Sequence, residues 1–165
     1  MTLIELSIAI GFGLSFAGVS LALMQQQLTF LSIYRNQAFL AEEAPLISAH
    51  MSRLIGKAER FRLHASVTEA LAGTNPRLNE SPVLVLNFRQ PDGSVAASML
   101  SFENRGSGPA LYLYNIPTAG ALPPPAWYIT KAPRNVSFSV VGGILRMTLT
   151  GPQGESVTYS GAMTL

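Results

Sequence analysis

The sequence predicts an α+β protein in which one long N-terminal helix is followed by an antiparallel sheet. Three observations carry this reading. Residues 6–24 contain no charge. Apolar residues then recur every three or four positions as far as Phe61. From residue 83 the period falls to two, in short runs separated by turn residues.

The first segment is apolar without interruption. Its 19 residues hold only serines as polar side chains. As a helix it would measure ~28 Å, close to the hydrocarbon thickness of a bilayer. A core helix of a small soluble domain would show a polar stripe, and this one does not. A signal peptide would need a basic n-region and a small-residue cleavage site. Here the run has no basic n-region and passes directly into a helical pattern. The first basic residue, Arg35, follows the span, so the positive-inside rule alone would leave the rest of the chain in the cytoplasm. A basic leader before Met1, since removed, would resolve the conflict.

Beyond Gln25–Gln27, apolar positions at Leu28, Leu31, Tyr34, Ala38, Ile47, Met51, Leu54, Ile55, Ala58 and Phe61 define an amphipathic stripe. Arg35, Asn36, Glu42, Glu43, Arg53, Lys57, Glu59 and Arg60 fill the other face. The spacing predicts one helix over 2–63, bent or divided at Pro45, which lacks a backbone donor. Gly11, Ser15 and Gly18 offer small surfaces for close helix–helix contact. Residues 65–82 read as a loop with a helical turn at 68–71. Strands are predicted at 83–88, 95–102, 111–115, 127–130, 136–141, 144–150 and 156–165. Turn signals separate them: PDG at 91–93, GSGP at 106–109, GG at 142–143 and GPQG at 151–154. PPP at 123–125 is a stiff connector. The runs suit a meander, one face of which packs on the second half of the helix around a single core. Val136, Phe138 and Val140 would share a face, as would Leu145, Met147 and Leu149. The chain thus divides into a hydrophobic membrane or filament-core segment, 1–27, and a globular part, 28–165.

Composition excludes several chemistries. The chain has no cysteine, so disulfides, thiolate metal sites and cysteine nucleophiles are ruled out. Its 11 Lys+Arg and 9 Asp+Glu nearly balance, which argues against nucleic acid as the main ligand. Gly56-Lys57-Ala58 lacks the upstream glycine and the hydroxyl of a phosphate loop. GSGP is a turn and not a nucleophile elbow. His50 and His64 form no zinc-binding pattern, and Glu42-Glu43 would point ~100° apart on a helix. Tyr112, Tyr114, Trp127 and Tyr128 have no basic residues interleaved, which favours sheet packing or subunit contact over base stacking. Asn79-Glu80-Ser81 and Asn135-Val136-Ser137 fit the glycosylation pattern, a common chance match. No constellation supports an enzyme, a metal site or a cofactor.

Glu5 is the one charge in the first 24 residues. Thr2-Leu3-Ile4-Glu5 has the T-x-x-E form of a capping box, which would place the carboxylate at the positive end of the helix. In hydrocarbon an unpaired charge would still be expensive.

MTLIELSIAI resembles the N-terminus of mature type IV pilins and pseudopilins. Thr2, Leu3, Ile4, Glu5 and Leu6 fit the family pattern, and Glu5 falls at its acidic position. Met1 stands where the family usually has phenylalanine. The motif covers about 24 residues, and the helix-then-sheet layout extends the likeness to the whole chain. The resemblance implies the pilin fold and a precursor whose basic leader is removed by a membrane-embedded prepilin peptidase, with methylation of the new N-terminus at Met1. It implies that Glu5 attracts the N-terminal ammonium of a neighbouring copy, and that Leu3, Ile4, Leu6, Ile8, Ile10, Phe12, Leu14 and Phe16 pack in a filament core. The implied function is a structural subunit of an extracellular type IV pilus-like filament, serving adhesion, motility or uptake. Its partners would be further copies of the chain, an inner-membrane assembly platform and the peptidase. The subunit would sit in the inner membrane of the bacterium before assembly. Two features depart from many pilins: position 22 is alanine and not proline, and no cysteines are present to close a C-terminal loop. The alternatives are a pseudopilin or minor pilin of a type II secretion-like system, and an anchored binding domain that never polymerises.

Overall fold

The computed structural model describes residues 2–106, 108–117 and 121–164. Met1, the Ser107 position of the predicted 106–109 turn and Leu165 at the end of the last predicted strand lie outside them. The chain forms two compact units, 1–37 and 38–165.

The first unit is α1 (Leu3–Ala38) as far as residue 37. Several of its hydroxyls turn back onto their own helix. Ser7 Oγ donates to Leu3 O and Ser15 Oγ to Gly11 O, both at 2.9 Å. Thr29 Oγ1 donates to Gln25 O at 3.0 Å. Such back-bonding satisfies the side chain without a neighbour or water.

In the second unit a single π-helical turn, Phe39–Glu43, precedes α2 (Ala44–Ile55). The Ala44 N–H donates to Phe39 O, five residues back. The turn explains how the helical path tolerates Pro45, which lies in the first two positions of α2, where a missing N–H leaves no bond unmade. The helical pattern predicted to residue 63 ends at Ile55. Gly56 caps it, and Lys57 N–H and Ala58 N–H tighten the last turn through bonds to Leu54 O and Ile55 O. The next residues form a strand, β1 (Arg60–His64), with Phe61 and Leu63 buried and Arg60 and Arg62 exposed. RFRLH satisfies both a helical and an alternating pattern, and antiparallel pairing from Arg60↔Asn87 to His64↔Val83 decides between them.

The predicted turn at 68–71 is α3 (Val67–Ala72). Ser66 Oγ accepts from Glu69 N–H at 3.2 Å, and Gly73 follows in the left-handed conformation, φ 65°. The predicted strands appear as β2 (Val83–Arg89), β3 (Val95–Asn104), β4 (Pro109–Ile116), β5 (Trp127–Thr130), β6 (Asn135–Val141), β7 (Ile144–Thr150) and β8 (Ser156–Thr164).

They build two antiparallel sheets and not one: β1-β2-β3-β4-β5 and β6-β7-β8. Pro133 stands in the short connection after β5, and β6 then pairs elsewhere. Ser81 and Phe138 exchange both backbone hydrogen bonds, at 2.9 and 2.8 Å, and join the sheets.

The main core takes Ile47, Met51 and Ile55 from α2. It adds Leu84, Leu86, Leu100 and Leu111 from the first sheet and Val136, Phe138, Leu145, Met147 and Leu149 from the second. The predicted shared faces on β6 and β7 are the ones buried, Val140 in part. A second core lies on the other face of β2–β4, where Val83, Val85, Met99, Tyr112 and Tyr114 pack with Ala70 of α3. The expectation of a single core is corrected: β2 is apolar at successive positions because both its faces are covered.

Candidate functional site

Glu5 and Thr2 stand where a capping box requires. The Thr2 N–H donates to Glu5 Oε2 at 2.8 Å, and the Glu5 N–H donates to Thr2 Oγ1 at 3.3 Å. Two of the helix's otherwise unmade donors are thereby satisfied, and the carboxylate lies at the positive end of the macrodipole. Both residues are exposed. Thr2 and Glu5 are therefore together; Met1 lies outside the described residues.

Downstream, Leu3, Ile4, Leu6, Ile8, Ile10, Phe12, Leu14 and Phe16 are all exposed. At 100° per residue these eight positions are spread around the whole circumference. The helix has no preferred buried side, and any environment that covers it must do so from all directions. Gly11, Gly13 and Gly18 have open space where a Cβ would project, so no contact within the chain demands glycine there. The helical residues Leu3–Ile55 include a stretch long and apolar enough to cross a membrane.

The other sequence candidates fall in the second unit. His64 is buried, and its Nδ1–H donates to Thr74 O at 2.9 Å. His50 meets Trp127 edge to face, ring centroids 5.2 Å apart. Glu42 and Glu43 close the π-helical turn. Among the described residues no group of three or more His, Asp or Glu is placed to hold a metal ion. Tyr112 and Tyr114 belong to the second core, whereas Trp127 and Tyr128 are exposed. The Tyr114 hydroxyl donates to Glu103, and burial, then that carboxylate, raises its pKa well above the usual tyrosine value.

Sequence reading did not anticipate a groove of about 370 Å³ within the second unit, lined by Glu43, Leu46, Ile47, His50, Trp127, Ile129 and Thr130. Its one legible sign is Leu46, which falls off the apolar stripe of α2 and is 72% exposed.

Comparison with models of known protein families, with characterised proteins and with solved structures gives no match.

Proposed function

We propose that the chain is a structural subunit of an extracellular type IV pilus-like helical filament, assembled through α1. One observation carries the reading. A helix apolar on every side keeps a single carboxylate in its first turn, tied to its own N-terminal cap. Each large apolar side chain withdrawn from water contributes ~1.5–3 kcal/mol, so α1 is far more stable in a bilayer or among copies of itself than in solution. The back-bonded hydroxyls of Ser7, Ser15 and Thr29 can enter either environment with their donors satisfied.

Capping alone does not require a charge, because glutamine serves the same position in a capping box. A carboxylate adds an attraction that is weak in water and strong in a low-dielectric core. Its partner in the proposed filament is the terminal ammonium of the neighbouring copy, so the pair sets axial register as a subunit leaves the membrane.

Glu5→Gln separates the two roles. It keeps a side-chain acceptor for the Thr2 N–H and removes the charge. Surface filaments are expected to disappear, with the subunit retained in the membrane and its helix content unchanged by circular dichroism. Parental amounts of filament from Glu5→Gln would reduce Glu5 to a cap. Mass spectrometry of sheared surface material is expected to find the N-terminal peptide beginning at methylated Met1. The modified peptide in the membrane fraction alone would instead mark a pseudopilin or rare minor subunit, and an unmodified one an anchored domain.

A further inference from the structure

The globular unit is electrically divided along α2. At one end Glu43 lines the groove with Leu46 and Trp127, which are 72% and 53% exposed, and the exposed Lys131 follows the lining residue Thr130. At the other end Arg53, Lys57, Arg60 and Arg62 are all exposed. Glu59, Glu69 and Glu103 have salt-bridge partners in Arg89, Arg77 and Arg105. Among the described residues Glu43 and these four cations are in no salt bridge, although the Arg60 charge acts on the neighbouring Glu59. The helix macrodipole accounts for an acid before α2 and for Arg53 in its last turn. It does not account for Arg60 and Arg62 on β1, nor for two large apolar side chains left in water beside the acid. Glu43 precedes the first residue of α2 and Lys57 follows the last, so ~18 Å of helix separates these two charges within one copy.

We infer that the groove receives the basic end of a second copy of this chain, in a head-to-tail contact that repeats from copy to copy. The inference rests on the filament reading and names a contact within it. A guanidinium suits the groove because it can donate to the Glu43 carboxylate while lying on the indole of Trp127. A contact between two different patches does not close on itself as a two-fold dimer does, and it propagates into a helix or a ring.

The absence of cysteine allows a direct test in the full chain on whole cells. Leu46→Cys and Lys57→Cys are introduced together and treated with a short bismaleimide. Helical rise separates the two positions by ~16 Å within one copy, beyond the reach of the reagent. The expected product is a ladder of dimers, trimers and higher species, absent from either single variant. Adding Glu43→Lys should reduce the ladder at least fivefold. Combining it with Arg60→Glu and Arg62→Glu should restore the ladder, which a misfolded groove would not permit. No ladder, dimers alone, or a ladder indifferent to Glu43→Lys overturns the contact. A Glu43-independent ladder dispersed by added duplex DNA would mark the cations as a polyanion surface and overturns it too. Methylated chain in sheared filaments without a ladder defeats this contact and leaves the filament reading standing. A ladder confined to the membrane fraction does the reverse.

Discussion

At the scale of single residues, the two glycines of GPQG answer different needs, and only Gly154, φ 89°, has a left-handed backbone. The GPQG turn is a hairpin signal, and a glycine there suggests backbone freedom. Yet Gly151 is not among the residues with positive φ. Its requirement is space: a Cβ would fall 2.5 Å from Phe39 Cδ1 and would overlap the Glu155 carboxylate. Gly151→Ala is therefore expected to cost ~1–3 kcal/mol, the usual range for overpacking, read as a lower midpoint in chemical denaturation of the full chain in detergent. Nothing local to GPQG reveals Phe39, more than a hundred residues away. The capping box was legible for the opposite reason, since Thr2 and Glu5 are three residues apart and need no third party.

At the scale of elements, legibility followed how far each one depends on its neighbours. The apolar run of α1 and the alternation of β6 and β7 were read correctly because each pattern is long enough to exclude the other period. β1 was misread because five residues cannot, and its strand character comes from β2. Just before β1, Glu59 accepts two hydrogen bonds from Arg89 at the end of β2, at 3.0 and 2.9 Å. This clamp lowers the Glu59 pKa below the ordinary value of 4.5, chiefly through the hydrogen bonds from Arg89. A carboxyl with a lowered folded-state pKa contributes stability above its unfolded value and loses it as pH falls through the folded value. Destabilisation from this pair is thus expected only below about pH 4.5, and Glu59→Gln should flatten that part of the stability–pH curve while leaving neutral behaviour nearly unchanged. An equal acid slope in Glu59→Gln would show that other carboxylates govern it. The helical path was expected to bend or divide at Pro45; it runs through that residue, and the irregularity is the π-helical turn upstream at Phe39–Glu43, whose Phe39 is buried in the core.

At the scale of the whole molecule, the number of sheets was not legible, because every strand pairs with its neighbour in sequence and the one exception, β5 and β6, leaves no local mark. The Ser81–Phe138 exchange that joins the sheets lies between segments read independently as loop and strand. Phe138 is fully buried in a core fed by both sheets. Phe138→Ala should cost ~3–5 kcal/mol and should lower the melting of both sheets together in one transition. Two transitions, only one of them shifted, would show that the sheets are independent. The back-bonded serines of α1 bear on the proposed assembly in a different currency. With the hydroxyls of Ser7 and Ser15 turned inward, the apolar part of α1 presents much the same hydrocarbon surface to lipid tails and to other copies, and lipid is about as apolar as leucine. Exchange between bilayer and filament is then nearly isoenergetic for α1 apart from Glu5. In the proposed filament the apolar helix would then make the journey reversible, and its direction would be set by the Glu5 pair and by the contacts of the part that remains in water.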